Sequence, residues 1–125
     1  MNFSFLLAVF IGGGLGSLCR YAVSIGVLRT TTSLFPWATL MANVLSCVIM
    51  AVGLHYFAER IAIGTWQRSF LLVGFCGGFS TFSTFSLENF ELLRNGQMGF
   101  LLANVLLSVI LCLLVFFVIF KGESA

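Results

Sequence analysis

The chain has 125 residues, of which 60% are hydrophobic and only 8% are charged. A soluble domain carries roughly 25% charged residues, so this chain cannot cover itself with a polar surface. We therefore predict an all-α integral membrane protein, a single transmembrane domain over residues 1–125 that is surrounded by membrane lipid. The net charge of +2 says nothing about partners, and no basic cluster in the sequence suggests nucleic acid, so none is expected as a partner.

Charged residues divide the chain into four apolar stretches. A helix needs about 20 apolar residues, at 1.5 Å each, to cross a bilayer. This length predicts four transmembrane helices, over residues 3–28, 36–58, 68–93 and 98–120.

The basic residues are shared equally between the two sides of the membrane that these spans define. Three lie on the side of the termini (Arg60, Arg68 and Lys121) and three on the other (Arg20, Arg29 and Arg94). Orientation follows the Lys/Arg difference between the sides, and here that difference is zero. The sequence therefore predicts insertion in both orientations and an antiparallel dual-topology homodimer. The alternative is that Arg20 is buried and drops out of the count, which leaves a weak bias.

The first span carries Gly12 and Gly16 in a G-x-x-x-G arrangement, which lets two helix backbones approach closely in lipid. Arg20 lies one turn farther along the same face. A nucleotide-binding loop is excluded, because the third glycine of that motif is replaced by Ser17.

The second and fourth spans each carry a short polar stripe. Asn43 lies between Thr39 and Ser46 on one face of the second, and Asn104 and Ser108 are four residues apart in the fourth. Two interpretations of Asn43 remain open: hydrogen-bonded attachment between helices, or a donor that lines a pore.

The third span contains GGFSTFSTFS at residues 77–86, and this run predicts a break near 77–81. The pair Gly77–Gly78 is expected to let the helix open, and freed carbonyls can coordinate a cation. Phenyl rings have a positive edge that contacts anions, and Phe82 and Phe85 are one turn apart. Glu88 either lies near a pore mouth or marks the end of the span.

The cysteines fall one to a span, at Cys19, Cys47, Cys76 and Cys112, and none forms a C-x-x-C motif. With one histidine and no aspartate, they are interpreted as small buried hydrophobic residues and not as a metal site.

Three motifs together resemble those of the Fluc (CrcB-type) fluoride channels of microbes. These motifs are Gly12-Gly13-x-x-Gly16-x-x-x-Arg20-Tyr21, Thr39-x-x-x-Asn43 and the run from Gly77 to Ser86. The resemblance covers all four spans. It implies an antiparallel homodimer that exports fluoride passively through two pores at the subunit interfaces.

The resemblance also implies roles for individual residues. Phe82 and Phe85 would contact fluoride with their edges, Asn43 would be the pore amide, and Ser83 and Thr84 would form a hydroxyl track. Arg20 would belong to the aqueous vestibule. A central structural Na⁺ would bind the backbone carbonyls of Gly77 and Ser80. Ser108 is added to the pore from periodicity and not from the family.

The sequence therefore predicts a fluoride-selective channel of the bacterial plasma (inner) membrane that gives fluoride resistance. One alternative is a small multidrug-type dual-topology exporter, which needs a carboxylate in its first span that this chain lacks. Another is a membrane scaffold that transports nothing. An enzyme is not expected, because no nucleophile–base pair or cofactor loop is present in the sequence.

Overall fold

The computed structural model describes residues 2–123, and this part of the chain folds into helices long and apolar enough to cross a membrane four times. The first two spans are the continuous helices α1 and α2, and the fourth is the continuous helix α6. The third span consists of shorter pieces, so the predicted interruption of this span is confirmed. The elements in chain order are α1 (Phe3–Thr30), α2 (Trp37–Tyr56), α3 (Trp66–Arg68), a π-helical segment (Ser69–Cys76), α4 (Gly77–Phe79), α5 (Phe82–Arg94) and α6 (Met98–Ile119).

Glycines bring α1 against the first half of the third span. A Cβ atom on Gly16 would lie 2.8 Å from the Phe79 amide nitrogen and closer still to the Phe75 carbonyl oxygen. A Cβ atom on Gly78 would meet the Gly13 carbonyl in the same way. The two backbones therefore touch, and the predicted close-packing role of the G-x-x-x-G motif is confirmed within one chain.

The two halves of the third span pack against different neighbours. The π-helical segment and α4 lie along α1, whereas α5 lies along α6. Helix α2 packs against α6 and also contacts α1 and the first half of the third span. The change of neighbour occurs between Phe79 and Phe82, and α2 is the helix that passes this point.

The ends of α2 and α6 meet on the side of the chain termini. The His55 Nδ1 atom lies 3.1 Å from a carboxylate oxygen of Glu123, and the His55 ring contacts the Phe120 ring edge to face. On the other side a short turn joins α5 to α6, and Gly96 adopts a φ of 70° there. A φ in this range is one that glycine adopts without strain.

Candidate functional site

The third span is interrupted at Ser80 and Thr81, which we call the break. Both residues are extended, with φ/ψ of −80°/160° and −151°/124°. The glycine pair itself stays helical, with Gly77 at −64°/−37°, so the prediction that the pair opens the helix is wrong. Gly78 is instead needed for contact with α1.

Hydroxyl groups explain why the helix ends after Phe79 and not at the glycines. The Ser80 Oγ donates to the Cys76 carbonyl over 2.8 Å, beside the Ser80 N–H, which donates to the same oxygen over 3.0 Å. The helical pattern of backbone hydrogen bonds thus extends to Ser80 and stops at Thr81. Thr81 is the N-cap of α5, because its Oγ1 accepts the Thr84 N–H at 3.2 Å. Only two residues, Ser80 and Thr81, thus separate the end of one helix from the start of the next.

Asn43 of α2 holds the break in place. Its Oδ1 accepts the Thr81 N–H at 2.8 Å, and its Nδ2 donates to the Thr81 carbonyl over 3.3 Å. One turn farther along α2, the Ser46 Oγ donates to the Cys76 carbonyl over 3.0 Å. Asn43 therefore satisfies the Thr81 N–H, which loses its helical acceptor at the break. Ser46 adds a further donor to the Cys76 carbonyl, which already accepts the Ser80 N–H.

Arg20 reaches the carbonyl end of the first half of the third span. Its Nε donates to the Gly78 carbonyl over 3.0 Å, and the residue is half-buried. The last carbonyls of a helix carry partial negative charge, so a guanidinium is stabilised there. The contact accounts for a cationic residue so far inside the long helix α1.

A cavity of about 320 Å³ lies beside the break, and we call it the break cavity. It is lined by residues of α2, the third span and α6: Asn43, Cys47, Ser80, Thr81, Phe82, Phe85, Ser108, Val109 and Cys112. Four of the predicted pore residues, namely Asn43, Phe82, Phe85 and Ser108, are thus brought together. The two rings have centroids 5.8 Å apart, and Phe82 is 79% exposed in the single chain.

The predicted hydroxyl residues Ser83 and Thr84 are not among the residues that line this cavity. They gather around the N-cap instead. The Thr81 Oγ1 lies 3.4 Å from the Ser83 Oγ and donates to the Thr84 Oγ1 over 3.1 Å. The three hydroxyls form a cluster at the start of α5, next to the cavity.

Behind Ser108 a ladder of side-chain hydrogen bonds joins α6 to α5. The Ser108 Oγ donates to the Asn104 Oδ1 over 3.3 Å, and the Asn104 Nδ2 donates to the Asn89 Oδ1 over 2.9 Å. Asn104 is fully buried. The sequence interpretation missed Asn89, although it lies four residues after Phe85 and so shares one face of α5 with that ring.

Glu88 contacts α2 inside the bundle. The Thr39 Oγ1 donates to the Glu88 Oε1 over 2.7 Å, whereas the buried Oε2 has no hydrogen-bond partner among residues 2–123. Glu88 also lines a second cavity of about 240 Å³, together with Glu91 and Asn95 at the end of α5. Glu88 thus lines this second cavity and not the break cavity, and both interpretations of its position stay predictions.

Backbone carbonyls at the break are the groups that suit a cation in the described chain. In a continuing helix the Thr81 N–H would bond to the Gly77 carbonyl, but it donates to Asn43 instead. Within residues 2–123, His, Cys, Asp and Glu do not form a cluster of three or more that could hold a metal. A cation here would therefore use peptide oxygens, which are hard ligands of the kind that alkali and alkaline-earth ions prefer.

Comparison with known proteins gives one consistent result. Residues 7–120 match the family model described as CrcB-like protein, Camphor Resistance (CrcB). A protein of Nitrobacter winogradskyi named fluoride-specific ion channel FluC is 43% identical over 111 residues, which cover 89% of this chain and 88% of that protein. A protein of Phocaeicola vulgatus with the same name is 41% identical over 109 residues, which cover 87% of this chain and 89% of that protein.

Proposed function

This chain belongs to the CrcB-like protein family, and from that premise we propose that it conducts fluoride through the break cavity. It is a multi-pass protein of a bacterial membrane and an ion channel, not an enzyme. The proposed path rests on one observation. The same cavity is lined by four of the predicted pore residues, Asn43, Phe82, Phe85 and Ser108. These residues come from three different spans.

The groups around the cavity suit a small anion. The Asn43 amide carries two N–H donors, of which one is donated to Thr81, and ring edges offer a positive electrostatic surface. The Ser108 hydroxyl donates to an anion when it releases Asn104. Helix α5 begins at Phe82 with its N-terminal end at the break, and that end carries partial positive charge. None of these contacts brings a full charge, so each holds fluoride weakly enough to release it. Passive conduction follows from such weak sites in series.

Hydroxyls next to the cavity extend this path. Ser83 and Thr84 gather at Thr81, within one turn of the cavity wall. We assign them to the stretch that fluoride crosses between the cavity and the aqueous surface. Arg20 raises the local concentration of anions at the other side of the break. Its vestibule role is supported by its half-buried position at the Gly78 carbonyl.

We further propose that two copies pair in antiparallel orientation. The equal division of basic residues supports insertion both ways. The 79% exposure of Phe82 supports a partner that covers this ring, because a ring that binds an ion must be shielded from lipid and water. The second copy then supplies the missing wall of each passage.

The orientation proposal can be tested with charge. A variant with Ala62→Arg and Ile63→Arg is biased towards one orientation, and one with Thr32→Arg and Asn95→Arg towards the other. Each variant alone should conduct poorly, and co-expression of the two should restore fluoride flux. Full flux from either biased variant alone would exclude the antiparallel pair.

A structural Na⁺ at the centre of the pair is also proposed. The Gly77 and Ser80 carbonyls of one chain are two ligands, and an antiparallel partner brings the number to four, which suits an ion that prefers several oxygen ligands. When bound, the ion would tie the two breaks together electrostatically. Reconstitution with N-methylglucamine in place of Na⁺ should lower both flux and dimer stability. Unchanged flux and stability would remove the ion from the proposal.

The function itself is tested in liposomes. Protein-containing vesicles loaded with fluoride should release it, as measured with a fluoride electrode, and should retain chloride. Phe85→Ile should lower the flux about tenfold or more, which corresponds to ~1.4 kcal/mol in the barrier. Phe117→Ile, at a ring on α6 that is 72% exposed, is the matched control and should conduct normally. A membrane scaffold would show no flux with either protein, and equal chloride release would exclude selectivity.

A further inference from the structure

Two cysteines that are far apart in sequence meet beside the break. Cys47 of α2 and Cys112 of α6 are both half-buried, on helices that pack against each other. Both also line the break cavity. The two thiols are isolated in the sequence, and the packing of α2 against α6 brings them to one place.

The pair continues the proposed fluoride path by one helical turn. Cys47 lies four residues after Asn43 on α2, and Cys112 lies four residues after Ser108 on α6. Residues four apart share one face of a helix. The cavity wall therefore has an amide and hydroxyl layer followed by a thiol layer.

We propose that Cys47 and Cys112 form a two-thiol binding site for a divalent thiophilic cation of linear coordination, and that an ion bound there closes the fluoride passage. The second part of this statement rests on the function proposed above. The first part depends only on the two thiols.

The ligand set selects the class of ion. Thiolates are soft ligands and select soft metals. Zinc in a structural site takes four ligands, whereas residues 2–123 offer no cluster of three or more metal-binding side chains. Two sulfur atoms, one from each of the neighbouring helices α2 and α6, instead suit an ion that binds two ligands in a linear arrangement, such as Hg²⁺.

Charge decides between monovalent and divalent ions. On binding, two S–H bonds break, two S–Hg bonds form and two protons leave to the solvent, with no change of oxidation state. The product of two thiolates and Hg²⁺ is neutral. A monovalent ion would leave a net negative charge, which is costly in an environment of low dielectric constant. The site therefore favours the divalent ion.

The binding test uses mercuric nitrate on the purified protein and does not depend on transport. After dialysis against 2-mercaptoethanol, which removes mercury held by a single thiol, the wild type should retain a stoichiometric amount. Cys47→Ser and Cys112→Ser should each retain none at this site. Cys19→Ser, which changes a half-buried cysteine of α1, is the matched control and should retain as much as the wild type. Equal retention by all four proteins would overturn the site.

The transport test uses the same proteins in liposomes. Mercuric nitrate should lower the fluoride flux of the wild type and of Cys19→Ser about tenfold or more, as expected for an obstruction in a narrow path. Excess dithiothreitol should restore the flux, and both serine variants at the site should be insensitive. Mercury that is retained without any loss of flux would overturn the closing role and move the passage away from the break cavity. If the untreated wild type releases no fluoride, the proposed function fails while the binding result stands by itself.

Discussion

The amide of Asn43 takes the place of the helical partners that the Thr81 peptide loses. Its Oδ1 lies 2.8 Å from the Thr81 nitrogen, and its Nδ2 lies 3.3 Å from the Thr81 carbonyl oxygen. One side chain thus satisfies both polar groups of a peptide in the interior of a membrane span. The same side chain borders the break cavity. Hydrogen-bonded attachment between helices, one of the two interpretations that the sequence leaves open, is therefore observed. The pore-lining role stays a proposal, supported by the position of Asn43 on the cavity wall.

Asn43→Ala should damage both roles. Two buried backbone groups lose their partners, at a cost of about 1–3 kcal/mol each, so the unfolding temperature in detergent should fall and fluoride flux should be lost. Asn43→Asp keeps an acceptor for the Thr81 N–H, but its second carboxylate oxygen faces the Thr81 carbonyl to which Nδ2 now donates. This variant should therefore also be destabilised, and it should fail to conduct, since its negative charge repels the anion. Asn95→Ala, at an exposed position after α5, is the control. Normal flux through Asn43→Asp would contradict the anion path.

Gly16→Ala should disrupt the contact between α1 and the third span. The added methyl group meets the Phe75 carbonyl and lies 2.8 Å from the Phe79 nitrogen, and backbone atoms there cannot move without shifting the break. Overpacking of this kind costs typically 1–3 kcal/mol or more. Gly14→Ala is the matched control on the same helix, with no atom within 4 Å of the new Cβ. Thermal unfolding in detergent should separate the two variants clearly, and similar unfolding temperatures would contradict the close approach.

Arg20→Gln should reduce fluoride flux several-fold, because the guanidinium at the Gly78 carbonyl supplies the positive potential near the break. The reduction should be largest at low ionic strength, where the Debye length is about 30 Å at 0.01 M. Arg29→Gln, at the exposed end of α1, should have a smaller effect. Flux measured over a series of salt concentrations checks this prediction. Equal effects of both variants at all concentrations would argue for a role of Arg20 in packing alone.

Asn104→Ala should destabilise the protein more than Ser108→Ala does. The first change removes the partner of both Asn89 and Ser108, whereas the second removes only the terminal hydroxyl of the ladder. Each orphaned buried group costs about 1–3 kcal/mol. Ser108→Ala should instead lower the flux, because Ser108 lines the cavity. Unfolding temperature and flux measured on both variants test this division, and the reverse order of stabilities would refute it.

Sequence patterns predicted the four spans and the importance of the third, because hydropathy and glycine spacing are local properties. They placed the opening at the glycine pair, whereas it lies at Ser80 and Thr81. One cause is a tertiary contact, because the backbone of Gly78 packs against α1 while it stays helical. The other is the hydroxyl of Thr81, which caps α5 and so fixes where this helix starts. Neighbouring helices therefore help to decide which backbone groups lose their helical hydrogen bonds. The periodicity of a sequence does not show which helices will be neighbours.

The same limit applies to pairs of side chains. Three pairs of neighbouring side chains each come from two different spans: Asn89 with Asn104, Thr39 with Glu88, and Cys47 with Cys112. A helical pattern tells which face a residue occupies but not which face of another helix it meets. Ser108 was assigned to the pore by its spacing from Asn104, and the structure places it on the cavity wall.

The hydrogen bonds at the break have a consequence for biosynthesis. The Thr81 peptide is satisfied by Asn43 of its own chain, so a newly made copy already has partners for this peptide before it meets another copy. Exposed peptide groups in lipid cost several kcal/mol each, and a chain that relied on a second copy for them would be trapped during insertion. Because the contacts are internal, they form identically in a copy that enters the bilayer in either direction. If two copies pair as we propose, they can therefore meet as folded chains in the plane of the membrane.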